Sequence, residues 1–452
     1  MRASYLQYLG IGYGKTAISE LVGKDVVISF TYLSAKCVPL KAKKCFYHSS
    51  RAVLLLESIS HLISFERLGD FWWWCFYENR PTLDGLLPPA HLGFPFTGQT
   101  ATMRSEFLAC LLALAHGAAA QGLPPTVDAS AKVTKLATLP KESYTVDAPF
   151  TEGATRDPAT GDVYFVDQNS NKILKWSVAD KKLSVFMHPA GYSNGMTFDK
   201  YGKLIACADE RNQLWEISVN STKTVPAPQA LNPSVGDKAA KGNVPEYSVI
   251  MDGKYNGKQL GGPNDVWAMP DNSLYFTDPY WSRKWWASGR KAEQDINTVY
   301  RVSPDRKTIT RALATFLTSD GKAGSPNGII GSPDGKTLYV AAFQGPGSGG
   351  GETYAYDVGA NGALSNRRLW AQFGSDGMTM DNAGNMYMSA PVSRTGITVV
   401  SIATGKQVGF IPVAEQPANL AFGGVDQSTL YITAKTGFYS IPTKVKGGHL
   451  VK

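Results

Sequence analysis

The most constraining feature of this 452-residue chain is a strand motif that returns six times after residue 133. The copies are GDVYFVD (161–167), GKLIACAD (202–209), NSLYFTDP (272–279), GKTLYVAAF (335–343), GNMYMSA (384–390) and STLYITA (428–434). With Tyr164, Ile205, Tyr275, Tyr339, Tyr387 and Tyr431 as markers, the spacings are 41, 70, 64, 48 and 44 residues. A four-stranded propeller blade takes roughly 40–50 residues, so six repeats predict an all-β, six-bladed β-propeller. The two long intervals predict loop insertions, within 223–262 and 279–298.

Further strand-like runs lie between the markers, among them ILKWSV, QLWEIS, TVYRVS, ETYAYDV and ITVVSI, each followed by a turn. Gly 45 and Pro 26 suit a turn-rich chain, and Tyr 21, Phe 19 and Trp 10 favour strands. Nothing longer than a turn or two reads as helix. The run VTKLATL (133–139) has no sheet of its own, and the sixth repeat stops early at FYSIP. The N-terminal strand is therefore expected to pair into the last blade, closing the ring and leaving no free sheet edge.

A polar residue stands 11 or 12 positions before each marker: Glu152, Asn194, Asn264, Asn327, Asp376 and Asn419. In five of the six an apolar strand follows, as in NGMTF, NDVWAM, NGIIG, DGMTM and NLAFG. Each residue then opens the inner strand of its blade, at one mouth of the central channel. One Asn before Gly is ordinarily a turn residue. Six oxygen-bearing residues in phase are not explained by turns alone. Two carboxylates and several amide carbonyls, without His or Cys, make a site for a hard cation. Ca2+ fits best because it accepts 6–8 oxygen ligands at flexible geometry, while Zn2+ prefers His or Cys; Zn2+ or Mn2+ is kept as the alternative.

The segments EGATRDPATGDVYFVD, GKQLGGPNDVWAMPDNSLYFTDPYW, SPNGIIGSPDGKTLYV and SDGMTMDNAGNMYMSA resemble the regucalcin/gluconolactonase-like six-bladed propellers, especially secreted microbial lactonohydrolases, over residues 133–442. The resemblance implies a metal-dependent lactonase. It implies metal ligands at Glu152, Asn264, Asn327 and Asp376, and a catalytic role for Asp376 as base or nucleophile. Asn194 and Asn419, at the same height, are read as substrate-contacting or outer ligands. The related paraoxonases carry a catalytic His where this chain has Asn194, so no His-based dyad is expected, and His188 reads as a loop residue. Ala208-Asp209-Glu210 departs from the Glu-His pair of some relatives, which puts a sugar contact there in doubt. The loop from Asp278 to Trp286 is read as one wall of the entrance, with Tyr280 and Trp281 as substrate contacts. The implied partner is a small lactone of sugar or aldonic type. The alternatives are a phosphotriesterase- or arylesterase-like hydrolase on this fold, or a non-enzymatic calcium-binding propeller.

Residues 103–121 read MRSEFLACLLALAHGAAAQ: a Met and Arg, an apolar core, and Ala118-Ala119-Ala120 before Gln121. That is the pattern of a secretory signal peptide over 103–120, with an extracellular propeller over 121–452. Residues 1–102 show no steady period of 2 or 3.6 and are left unassigned, as an extension upstream of a start at Met103. Their GIGYGKT (10–16) has Leu9 where a phosphate loop requires Gly, so nucleotide binding is rejected. Beyond residue 120 only Cys207 remains of five cysteines, which excludes an intramolecular disulfide there. Asn220-Ser221-Thr222 is a glycosylation sequon. The formal charge of +8 is scattered, without the concentrated patch a nucleic-acid partner needs. No apolar run reaches the 18 or more residues of a membrane-spanning helix.

Overall fold

The computed structural model describes the backbone of residues 21–22, 25–36, 46–56, 62–68 and 71–77. It describes residues 122–145, 147–232, 242–286, 290–342, 351–389 and 394–448 in full. The chain divides into two compact units, Met1–Arg104 and Ser105–Lys452. The signal-peptide segment 103–120 lies outside the described residues.

In the first unit Asp25–Lys36 pairs with Phe46–Leu56, and Leu62–Leu68 with Phe71–Tyr77, both antiparallel. The sequence shows no strand period there. These stretches are rich in Val, Phe, Tyr and Trp, whose preference for extended backbone does not require alternation.

The second unit is built of six four-stranded antiparallel sheets, and no described residue is helical. The first strands of the six blades are Thr151–Arg156, Ser193–Phe198, Val266–Ala268, Pro326–Gly331, Met378–Met380 and Pro417–Gly423. Each first strand touches the next, and that of blade six touches that of blade one, so the sheets close as a six-bladed propeller. The expected closure is present: Thr134–Thr138 pairs with Gly437–Pro442 as the fourth strand of blade six. Lys135 Nζ lies 2.7 Å from Glu415 Oε1 and braces that seam.

All six marker residues sit on second strands. These are buried on both sides, as in Val163–Asp167, Leu204–Ala208 and Leu274–Asp278, because each blade is covered by two neighbours. That is why the repeats read as continuous apolar runs rather than alternating ones. Tyr339, Met378 and Met386, for example, pack between blades four and five. A fully buried side chain of this size contributes about 1.5–3 kcal/mol relative to exposure. Cys207 is free and buried in the second strand of blade two.

The predicted insertions are found where the spacings place them. The first carries two small hairpins, Thr224–Pro226 with Asn243–Pro245 and Lys254–Tyr255 with Lys258–Gln259. Blade two takes its outer strand, Tyr247–Met251, from inside this insertion. In the second insertion, from Pro279 to Asn297, no described residue is in a strand. The two are bonded together: Asn232 Nδ2 donates to Trp286 O at 3.4 Å, and Gln294 Nε2 to Lys258 O at 2.8 Å.

Candidate active site at the channel mouth

The six polar residues fall at the start of the six first strands, and the backbone there is distorted in a repeated way. Register shifts mark this point in four blades: Glu152/Thr155, Ser193/Met196, Pro326/Ile329 and Pro417/Asn419. A bulge at a strand end re-aims a side chain. Hydroxyls from the second strands hold the distorted backbone. Ser389 Oγ accepts from Asp376 N at 2.9 Å, Thr433 Oγ1 accepts from Asn419 N at 3.1 Å, and Thr277 Oγ1 donates to Asn327 O at 2.8 Å. These hydroxyls carry no motif of their own; their place at the end of each second strand is the only sequence signal.

Glycine after the polar residue lets neighbouring first strands approach. Gly153 has φ +60, and a Cβ there would stand 2.2 Å from Asn194 O. A Cβ on Gly377 would stand 2.3 Å from Asn419 Cγ. The strands are also joined directly, with Gly195 N donating to Asn264 O and Gly377 N to Ala418 O, both at 2.7 Å.

Glu152, Asn194, Asn264, Asn327 and Asn419 are buried, while Asp376 keeps partial solvent exposure. Asn327 Nδ2 donates to Asp376 Oδ1 at 2.7 Å. Asn194 Nδ2 donates to Gln168 Oε1 at 3.5 Å. The side-chain Oδ1 atoms of Asn194, Asn264 and Asn327 are buried with no hydrogen-bond partner. Asn419 differs, because its Oδ1 accepts the Leu420 N–H at 2.8 Å and its side chain also bonds Glu152. Three orphaned oxygens in one ring are costly unless something fills them. Among the described residues no three His, Cys, Asp or Glu side chains group as a metal site, as expected where amides supply most of the donors.

Burial pushes both carboxyls up. Glu152 rises well above the usual carboxylate range, through burial first and then the charges of Asp376 and Asp265. Burial lifts Asp376 to about 6, against the Asn327 hydrogen bond and the Glu152 contact that favour its anion. Asp265, not singled out by the sequence, is pushed by burial up to about 8 although backbone N–H groups of Val266 and Ile329 bond it. Two carboxyls and three unpaired amide oxygens at the starts of adjacent first strands have a composition that suits a divalent cation.

The loop between the second and third strands of blade three is arranged differently from its sequence reading. Trp285 and Trp286 are buried, packed with Tyr192 and Tyr280, and Tyr192 stacks on Trp285 at 4.4 Å. Tyr280 is half-buried and donates its hydroxyl to Arg290 O at 2.6 Å. Trp281 is also half-buried. Apolar area on this loop favours packing over an open aromatic wall. His188 lies in a loop and stacks on Tyr144 at 5.7 Å.

A family model described as the SMP-30/gluconolactonase/LRE-like region matches residues 150–436, well over half of the chain. The chain belongs to that family. The gluconolactonase of Zymomonas mobilis is 26% identical over 341 residues, covering 72% of this chain and 85% of that protein. Lactonohydrolase oryL of Aspergillus oryzae is 26% identical over 219 residues, covering 43% of this chain and 47% of its own. The solved gluconolactonase XC5397 of Xanthomonas campestris superposes with a TM-score of 0.54 at 23% identity, covering 72% of this chain and 94% of that one. That last likeness concerns the fold.

Proposed function

We propose that the chain is a secreted, calcium-dependent lactone hydrolase, opening a sugar-type or aldonic lactone to the hydroxy acid. The observation that carries the reading is the set of three buried, unpartnered Asn oxygens in one ring with Glu152 and Asp376. The gluconolactonase and lactonohydrolase relatives supply the reaction class. Glu152, Asn264, Asn327 and Asp376 are the residues that would hold the ion, and the orphaned oxygen of Asn194 adds a fifth donor. A bound Ca2+ supplies Lewis acidity, polarising the lactone carbonyl and stabilising the charge that develops on its oxygen.

The remaining chemistry belongs to side chains. Asp376 is the least buried of the ring residues, and burial still makes it more basic than a fully hydrated carboxylate. It takes the proton from water as the water oxygen bonds the carbonyl carbon. In the nucleophilic alternative Asp376 bonds that carbon itself, and a water then gives its proton to the departing ring oxygen and its hydroxide to the resulting anhydride, which frees Asp376. The lactone C–O bond then breaks, and the proton goes to the departing ring oxygen, which becomes the hydroxyl of the product. Asn419 and the loop carrying Tyr280 and Trp281 face the substrate. Secretion rests on the signal-peptide pattern of residues 103–120.

The test is base uptake at constant pH by the full chain on a panel of lactones, an aryl ester and a phosphotriester, with EDTA and with added calcium. The expected result is lactone opening that EDTA abolishes and calcium restores. Full activity in EDTA would remove the ion from the reading. Absence of turnover on every lactone would remove the lactonase.

A further inference from the structure

We propose that Arg283, with Asp209 and Gln168 behind it, forms a subsite for the hydroxyl groups of a polyhydroxylated lactone. The substrate class rests on the lactonase reading; the subsite rests on geometry. Asp209 follows the second strand of blade two and its side chain is fully buried. Arg283 Nε stands 2.8 Å from Asp209 Oδ2. Gln168 Nε2 donates to the same Oδ2 at 3.5 Å, and Gln168 Oε1 accepts from Asn194 of the ring, also at 3.5 Å. A continuous polar chain thus runs from the ring through Gln168 and Asp209 to Arg283. The guanidinium lies between Trp281 and Trp285, 5.8 and 5.6 Å from their ring centres. Its charge is also felt at Asp376.

Asp209 meets the guanidinium at Nε alone, as an ion pair in which the Nε–H makes no hydrogen bond. The two terminal nitrogens make no hydrogen bond to any described residue, and the side chain keeps 18% exposure. Four N–H donors therefore remain for acceptor oxygens at the mouth. Those oxygens belong to hydroxyls rather than to a free anion. Arg283 and Arg290 are balanced by Asp209 and Asp278, which leaves no net positive charge for an anionic substituent. Trp281, half-buried beside the fork, suits the C–H face of a sugar-like ring.

The supporting frame is costly to build. Trp286 Nε1 donates to Asp209 O at 2.8 Å, Arg290 lies 3.6 Å over the Trp286 ring, and Asp278 accepts from Gly261 and Gly262 N, both at 2.8 Å. Asp209 Oδ1 is left without a partner. Burying an ion pair costs desolvation that its attraction need not repay. Stability alone is thus a poor reason for this arrangement, and holding one guanidinium at the mouth is a better one.

The test uses Arg283→Met and Arg283→Lys in the full chain, the lysine variant keeping a charge opposite Asp209 in case the methionine variant fails to fold. Two readouts are taken. The first is the ratio of kcat/KM on glucono-δ-lactone to that on unsubstituted δ-valerolactone. It should fall about 10–100-fold in both variants, as expected for lost hydrogen bonds from a charged donor. The second is the calorimetric Kd of a polyhydroxylated δ-lactam, which cannot be hydrolysed and should bind about tenfold or more weakly to the variants. A ratio and a Kd both within twofold of wild type would overturn the subsite, as would a wild-type chain that does not bind the lactam. Arg283-dependent lactam binding without turnover of either lactone would keep the subsite and refute the lactonase.

Discussion

Asn327 donates its side-chain amide to Asp376 Oδ1 at 2.7 Å, and that bond leaves Asn327 Oδ1 as a buried, unpartnered atom. One contact thus sets the orientation of two of the ring's residues: it holds the carboxylate and leaves the amide oxygen free for the proposed cation. The same logic holds at Asn194, whose amide is held by Gln168.

Asp376→Asn keeps the shape and a carbonyl oxygen but removes the proton acceptor. If Asp376 is the base or nucleophile, kcat at saturating calcium falls by about two to four orders of magnitude. Stopped-flow or pH-stat rates across a calcium titration decide it. Recovery of most of the rate at high calcium would make Asp376 a ligand only. Asn419→Ala serves as a comparison and should raise KM more than it changes calcium affinity.

Calcium should raise the melting temperature of the native chain, since binding to the folded state stabilises by mass action, about 2.7 kcal/mol at one hundred times Kd. Glu152→Gln removes one of the two ring charges that neutralise the ion and should weaken calcium by about tenfold or more. Differential scanning calorimetry with EDTA and with graded calcium measures both. A melting temperature unmoved by calcium would contradict the ring as an ion site.

Gly153→Ala places a Cβ 2.2 Å from the Asn194 carbonyl oxygen and forces a non-glycine residue to φ +60. The expected loss is about 2–4 kcal/mol, combining backbone strain with a displaced first strand. Urea unfolding reads it. Stability within 0.5 kcal/mol of wild type, the range of a neutral surface change, would mean that the first strands separate easily.

Glu415 ties the ring-closing strand to blade six. Burial opposes its ionisation, but Lys135, Tyr439 and Thr436 outweigh it and hold the carboxyl down at about 2, below the ordinary 4.5. A group lowered in the folded state stabilises above its unfolded value and loses that contribution as pH falls toward the folded one. Glu415→Gln should therefore cost about 1–2 kcal/mol at pH 7, allowing for solvent screening of the half-open pair. The difference from wild type should close between pH 5 and 2. Denaturant unfolding of both proteins across that range measures it, and a difference independent of pH would exclude the ion pair as its cause.

The sequence by itself determined the six-fold repeat, the closing strand, the two insertions and the phase of Glu152, Asn194, Asn264, Asn327, Asp376 and Asn419. Each follows from local pattern: apolar runs between turns, and one polar residue at constant distance from each run. The strands of residues 1–102 are not legible because no repeat and no steady period runs through that segment. Only the tertiary structure decided which oxygens are unpartnered, because Asn194 and Asn419 look alike in sequence and differ through Gln168 and the Leu420 N–H. It also decided that Trp285 and Trp286 pack inward and that Asp209 meets Arg283. Those contacts join residues from different blades and from two insertions, and no periodicity links positions whose proximity arises from the packing of loops on a closed ring.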